Sequence, residues 1–279
     1  MVNNFQLPPV GFGPGSQPTS DDGLELQYMP MPQDMRSYSP RIPDVESSAD
    51  IVPALELLAE IAAAAAIAGQ GGANANFDLS GLDARNRKLI AETMGEGEVA
   101  IKMMGIPAIA AQESVFAGVW CLSGAGVDQI EVGPIPDMVR QRAFNQRVPA
   151  LGVRAETTPD VVNAPPLVVE LVDKSADWQP GLEPHVVNLT LLPHTEEDLL
   201  WLDKALGKGS VDFLSRGYGN CRVQATGQAH VWRVQFFNSV DTLILDTFEV
   251  TDVPEVVIAA AEDLADSSER IVQVMEAVR

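Results

Sequence analysis

Apolar and polar positions alternate in the stretch 207–254 in a way that predicts strands. Val211, Phe213 and Ser215 share one side of a two-residue alternation, Trp232, Val234 and Phe236 alternate with Arg233 and Gln235, and a third apolar run covers 243–250. A period of two marks half-buried antiparallel strands. Elsewhere the period is helical. Leu55, Leu58, Ile61 and Ala62 share a side of an alanine-rich helix over 51–68. A second helix opens at Ser80, with Asp83 three residues on, carries Leu82, Leu89, Ile90 and Met94, and stops at Gly95. Strands follow at 99–103, at 115–122 and, more weakly, at 129–132, and then a helix over 136–144. Residues 146–184 hold many prolines and read as a connector with a short helix starting near Pro165 and Pro166. Residues 186–192 form a strand. Thr195 caps a helix with Asp198 three residues on; Leu199, Leu202 and Leu206 line it and Gly207 stops it. Pro254 opens a helix burying Val256, Val257, Ala260, Ala261 and Leu264, and Asp266 with Glu269 caps a last helix whose Ile271, Val274, Met275 and Val278 pack on the sheet.

The 207–254 pattern has an ungapped copy 112 residues earlier. Gly95, Gly97 and Val99 fall on Gly207, Gly209 and Val211; Gly105 on Gly217; Gln112 on Gln224; Val119-Trp120 on Val231-Trp232. With small insertions Asp128 approaches Asp241, and residues 132–139 resemble those at 253–258. Ile109 is the counterpart of Cys221, so the two units do not share the cysteine. The repeat predicts an α+β fold of two related units, each an antiparallel sheet packed with helices, over 51–145 and 185–279. Residues 1–50, rich in Pro, Gly, Ser and Asp and without any period, read as an extended arm in which Tyr28, Met29 and Met31 are apolar anchors.

Composition narrows the function. A net charge of −21 disfavours nucleic acid or an anionic membrane face, both of which require clustered Lys and Arg. The first residues, MVNNFQLPP, lack the pattern of a secretory signal, and the apolar run 61–68 is too short to span a bilayer, so a cytoplasmic protein without membrane insertion is expected. Two cysteines and three histidines with neither CxxC nor HxxxH spacing predict no disulfide framework and no metal site. Cys221, His230 and Asp241 stand in the order of a thiol-nucleophile triad, the best enzyme reading available; against it, His230 shares the alternation of Trp232, which places it at the edge of a core. GEGEV and GKGSV follow helices and lack the Lys-Ser/Thr ending of a phosphate loop, so they read as helix stops.

The longer motifs carry a resemblance. SRGYGNCR at 215–222, Val231-Trp232, FFNS at 236–239, LIL at 243–245 and EVTDVPEV at 249–256 closely resemble the HupH/HyaF family of hydrogenase expression/formation proteins. GPGSQPTSDDGL at 13–24, YMPMP, FDLSGLDARNR at 77–87, GEGEV, QESVFAGVW at 112–120, VGPIP at 132–136 and residues 188–209 extend it over nearly the whole chain. Arg233, where the family carries a second aromatic, and Ala225-Thr226, where it tends to Ser-Thr, depart from it. The resemblance implies a non-catalytic, chaperone-like factor without a cofactor, acting on the iron–sulfur small-subunit precursor of an uptake [NiFe]-hydrogenase, whose export signal is basic, and in contact with other accessory proteins. It assigns partner binding to Ser215, Arg216, Gly217, Tyr218, Gly219, Asn220, Cys221 and Arg222, with Gln112, Glu113, Phe116, Trp120 and Trp232, and with Tyr28, Met29 and Met31 of the arm. The alternative is a thiol enzyme or a cluster-handling factor using Cys221.

Overall fold

The structure, a computed structural model, describes residues 49–216 and 220–278; Tyr28, Met29, Met31, Gly217, Tyr218 and Gly219 lie outside them. The first unit runs α1 (Val52–Gly69), β1 (Ala75–Asp78), α2 (Ala84–Met94), β2 (Val99–Met103), β3 (Ile109–Glu113), β4 (Val119–Gly124), β5 (Val127–Val132) and α3 (Asp137–Arg142). The second repeats that order as α4 (Ala164–Asp177), β6 (His185–Asn188), α5 (Glu196–Leu206), β7 (Val211–Ser215), β8 (Asn220–Ala225), β9 (Val231–Phe237) and β10 (Leu243–Val250), with a 3-10 turn at Glu255–Val257 in the place of α3. A last helix, α6 (Ala261–Val278), follows.

The units share one antiparallel sheet in the order β1-β5-β4-β3-β2-β7-β8-β9-β10-β6. Read from either edge, this order meets equivalent strands in the same sequence. Strand side chains alternate between faces. One face carries a continuous core through both units, including Ile101, Trp120, Phe213 and Trp232, closed by Val139 and Ala143 of the α3 region and by Val253 and Val257. The other face carries two separate cores, one under α1, α2 and α6 and one under α4 and α5.

Local details repeat as well. Gly95 and Gly207 end α2 and α5 at φ 56°, ψ −156° and φ 65°, ψ −160°, a conformation essentially closed to other residues. Pro136 and Pro254 have nearly identical angles before α3 and the 3-10 turn. Asn86 and Asp198, also 112 residues apart, are both fully buried and both brace the start of the preceding helix. The Asn86 side-chain oxygen accepts from Ala54 N at 2.9 Å, and Asp198 accepts from Val162, Asn163 and Ala164 N at 2.8–3.0 Å.

The expected α+β fold of two related units is observed, with local corrections. The strand expected at 115–122 starts only at Val119, because the Ser114 hydroxyl closes a turn on Phe116, and β1 and β3 are strands beyond those expected. β8 is a further strand, hidden in the sequence because only Cys221, Val223 and Ala225 alternate inward along it. Asp83 caps α2, since its carboxylate accepts from Arg85 and Asn86 N while the Ser80 hydroxyl is turned to Asp78. β6 ends at Asn188, and residues 189–191 close as a 3-10 turn. After Pro254 the chain makes only a 3-10 turn before α6, because Val253 and Val257 dock into the shared core and Ala259 N donates to Pro134 O. Asp266 and Glu269 therefore lie inside α6, and its Ile271, Val274, Met275 and Val278 join the core with α1. α1 is long and apolar enough, at mean hydropathy 1.7, to cross a membrane by length and composition; its face from Ala54 to Ala68 is buried in that core.

Candidate functional site

The residues singled out by the sequence collect largely at one end of the sheet. β2 lies between β3 and β7, with Ala100 opposite Gln112 on one side and Leu214 on the other, about 10 Å apart over two ladder spacings. The ends of β3 (Gln112, Glu113) and β7 (Ser215, Arg216) and the start of β8 (Asn220) are thereby brought to one edge. The Gln112 amide donates to Gly97 and Val99 carbonyls at 3.1 Å, tying the β3 end to the segment after α2, and Arg216 N donates to Glu98 O at 3.1 Å. Burial pushes the Glu113 carboxyl above the usual range, and the Glu98 and Asp263 carboxylates push it the same way, opposed by a bond from Gly118 N.

Next to this edge, β9 ends at Phe237 opposite Asn220 and turns into β10. The segment from Val231 to Val250 is six residues longer than its counterpart from Val119 to Val132, whose ends pair in the same way. The extra length carries Val240, Leu243 and Ile244, which are 74%, 44% and 55% exposed. Asn220 anchors the turn by donating to Asp241, and the Arg222 guanidinium lies 4.8 Å from the Phe237 ring. Exposed arginines beside exposed apolar side chains make an amphipathic edge, a composition typical of protein contact surfaces.

Four of the expected partner residues point elsewhere. Phe116, Trp120, Trp232 and Cys221 are buried and build the cores beneath the edge. Trp120 and Trp232 hold equivalent places in β4 and β9, and their indole N–H groups donate at 3.0 Å to Gly133 and Asp252 carbonyls, just past the following strands. Trp232 pairs with Ala225, at the far end of β8 from Asn220.

The triad geometry is absent. Cys221 pairs with Phe236, whereas His230 precedes β9 six residues earlier, roughly 20 Å away along the strand. His230 does not share the strand alternation; it sits in the preceding turn at φ 59° with its ring stacked 3.7 Å from Trp178. Burial, helped by Glu249, pushes the Cys221 thiol up to about 11, the opposite of an activated thiolate. Among the described residues no group of three or more His, Cys, Asp or Glu is placed to hold a metal ion.

The sequence signal missed here is the length difference between the two hairpins, legible only once the end of β5 is aligned with the end of β10. The model of the HupH hydrogenase expression protein C-terminal conserved region matches this chain twice, over residues 51–146 and 161–278. The chain belongs to the HupH hydrogenase expression protein family. The two matches fall on the two structural units, so the family's conserved region is itself present as a repeat. Among HupH-family relatives, the hydrogenase expression/formation protein HupH of Rhodobacter capsulatus is 60% identical over the whole of both chains. HoxQ of Cupriavidus necator is 43% identical over 99% of this chain and 98% of its own. The hydrogenase-1 operon protein HyaF of Escherichia coli is 32% identical over 71% of this chain and 72% of its own. A solved HupH structure from Thiobacillus denitrificans is 29% identical, covering 41% of this chain and 96% of that one at a TM-score of 0.39.

Proposed function

We propose that this chain is a non-catalytic accessory protein of [NiFe]-hydrogenase maturation that binds the iron–sulfur small-subunit precursor in the cytoplasm before export, alongside other accessory proteins. The observation that carries the maturation role is end-to-end similarity to proteins named for hydrogenase expression and formation. The edge formed by Gln112, Glu113, Ser215, Arg216, Asn220 and Arg222 is a contact surface in this reading, and the arm residues Tyr28, Met29 and Met31 are separate anchors for the partner. Support comes from the exposed arginines and apolar tip of the longer second hairpin, and from the acidic chain, which suits a basic export signal. The thiol alternative loses support from the placement of Cys221 and His230.

The proposal is tested by tagging the protein in cells that carry the hydrogenase operon and comparing wild type with an Arg216→Glu/Arg222→Glu variant. Recovery of the unprocessed small subunit with the wild type and its loss with the folded variant is expected. Equal recovery would remove the edge from the mechanism.

A further inference from the structure

Each unit has a cleft between the end of its second helix and the sheet, and the two clefts differ. In the second unit the cleft is lined by Asp203, Gly207, Gln224 and Arg233 and holds about 30 Å³. In the first, the equivalent Ala91, Gly95, Gln112 and Cys121 line a cleft of about 660 Å³.

Two features fill the second cleft: the segment from Arg147 to Ala150, which bridges to Lys208 and packs over Gly207, and the side chain of Arg233. Arg233 donates to Asp246 through Nε at 2.9 Å and Nη2 at 2.6 Å and to Asp203 through Nη1 at 2.9 Å, and it lies 5.6 Å from the Phe248 ring. Cys121 stands at that place in β4, and Ala91 stands in α2 where Asp203 stands in α5. Asp128, opposite Ser123 as Asp246 is opposite Gln235, is kept but is paired with Arg87 of α2. The walls are reversed in charge as well: Glu92 and Glu96 hold the positions of Lys204 and Lys208. Glu92 Oε2 is buried without a hydrogen-bond partner, and its other oxygen has Lys88 Nζ at 3.5 Å. Met94, Val115 and Cys121 give the cleft an apolar lining. The Cys121 thiol, pushed up to about 11 by burial and by Asp128, is neutral and belongs to that lining.

We propose that the first-unit cleft is a seat for an arginine side chain from an extended peptide segment of a partner protein, entering where Arg233 lies in the second unit. The aliphatic stem crosses Met94, Val115 and Cys121 while the guanidinium meets the Glu92 and Glu96 carboxylates, which suits a side chain with an apolar stem and a planar donor head. A buried acceptor without a donor is the feature such a ligand satisfies. The inference goes beyond the maturation reading, because it holds whichever protein supplies the segment.

The test uses the full chain and a short fluorescein-labelled peptide with one central arginine, followed by anisotropy at low salt, beside a twin peptide with citrulline in place of the arginine. The arginine peptide is expected to bind about tenfold or more tighter than its neutral twin. Ala91→Asp/Cys121→Arg, which restores the second unit's Asp203–Arg233 type of pair at unchanged net charge, should weaken binding by a similar factor. Should that variant fail to fold, Glu92→Gln/Glu96→Gln carries the same expectation. Glu56→Gln/Glu60→Gln, the same charge change on the exposed side of α1, should leave affinity unchanged. Equal affinity for both peptides, unchanged binding by the cleft variants, or equal weakening by the α1 pair would overturn the proposal; the last would assign binding to the general field of an acidic chain. No hydrogenase component enters the assay, so its failure leaves the maturation reading standing.

Discussion

Ile101 and Phe213 stand directly opposite each other where β2 pairs with β7, and they are the same position of the two repeats, 112 residues apart. The pseudo-twofold axis of the chain therefore passes through this pair, and each unit covers the other's inner strand edge, which would otherwise be an unpaired template. Both side chains are buried in the shared core. Ile101→Ala should cost about 2–5 kcal/mol and Phe213→Ala about 3–5 kcal/mol. Because the two residues meet across the ladder, the double variant should depart from additivity by about 0.5 kcal/mol or more in a urea-unfolding cycle. Strict additivity would show that the seam is not a packed contact.

The helix-stop glycines should respond unequally to the same change. A Cβ on Gly207 would lie 2.4 Å from Val148 O, whereas on Gly95 its nearest neighbour is Val115 Cγ1 at 3.0 Å. Gly95→Ala should lose about 1–3 kcal/mol through backbone strain alone, and Gly207→Ala should lose more because backbone must also move. Denaturant midpoints in the reverse order would contradict this reading.

Asp198 ties α4 to α5, and its contribution depends on pH. Burial pushes its carboxyl up, but the N–H bonds from Thr195, Ala164, Val162 and Asn163 outweigh burial and hold it at about 2, below the ordinary 3.8. A depressed acid stabilises the fold above its unfolded pKa and loses that stabilisation as pH falls through the folded value. Asp198→Asn should therefore cost about 1–3 kcal/mol at neutral pH, and the gap between variant and wild type should close between about pH 5 and pH 2. A gap independent of pH would assign the effect to packing.

Sequence is most informative where chemistry is local. Thr195 with Asp198 forms the expected capping box, and Gly95 and Gly207 stop their helices. Sequence is least informative where tertiary contacts decide. Asp198 could be read as a cap for its own helix but not as a brace for α4, whose start is 34 residues away. Nothing local tells α6 to begin after an extended segment, since that segment is pinned to Pro134 and to the shared core. The tryptophans are legible as equivalents, and Trp232 as core by its alternation with Val234 and Phe236, but a Trp in a motif looks the same whether it holds the sheet or meets a partner.

Cys221 and Gly217 separate the thiol reading from the surface reading. A buried, neutral thiol in the core should tolerate Cys221→Ser at a stability cost of about 1–3 kcal/mol, with hydrogenase maturation largely retained. Gly217→Val, in the SRGYGNCR motif, should lose maturation while the protein still accumulates. Active hydrogenase measured in cells carrying each variant decides between the two; loss with a normally folded Cys221→Ser protein would restore a thiol or cluster-handling role.

The proposed contact with the small-subunit precursor is tested by mass spectrometry of what co-purifies with the tagged full chain from cells expressing the hydrogenase operon. Recovery of the small subunit with its export signal still attached is the predicted result. Recovery of accessory proteins or large subunit alone, with the precursor present in the lysate but absent from the eluate, would contradict it.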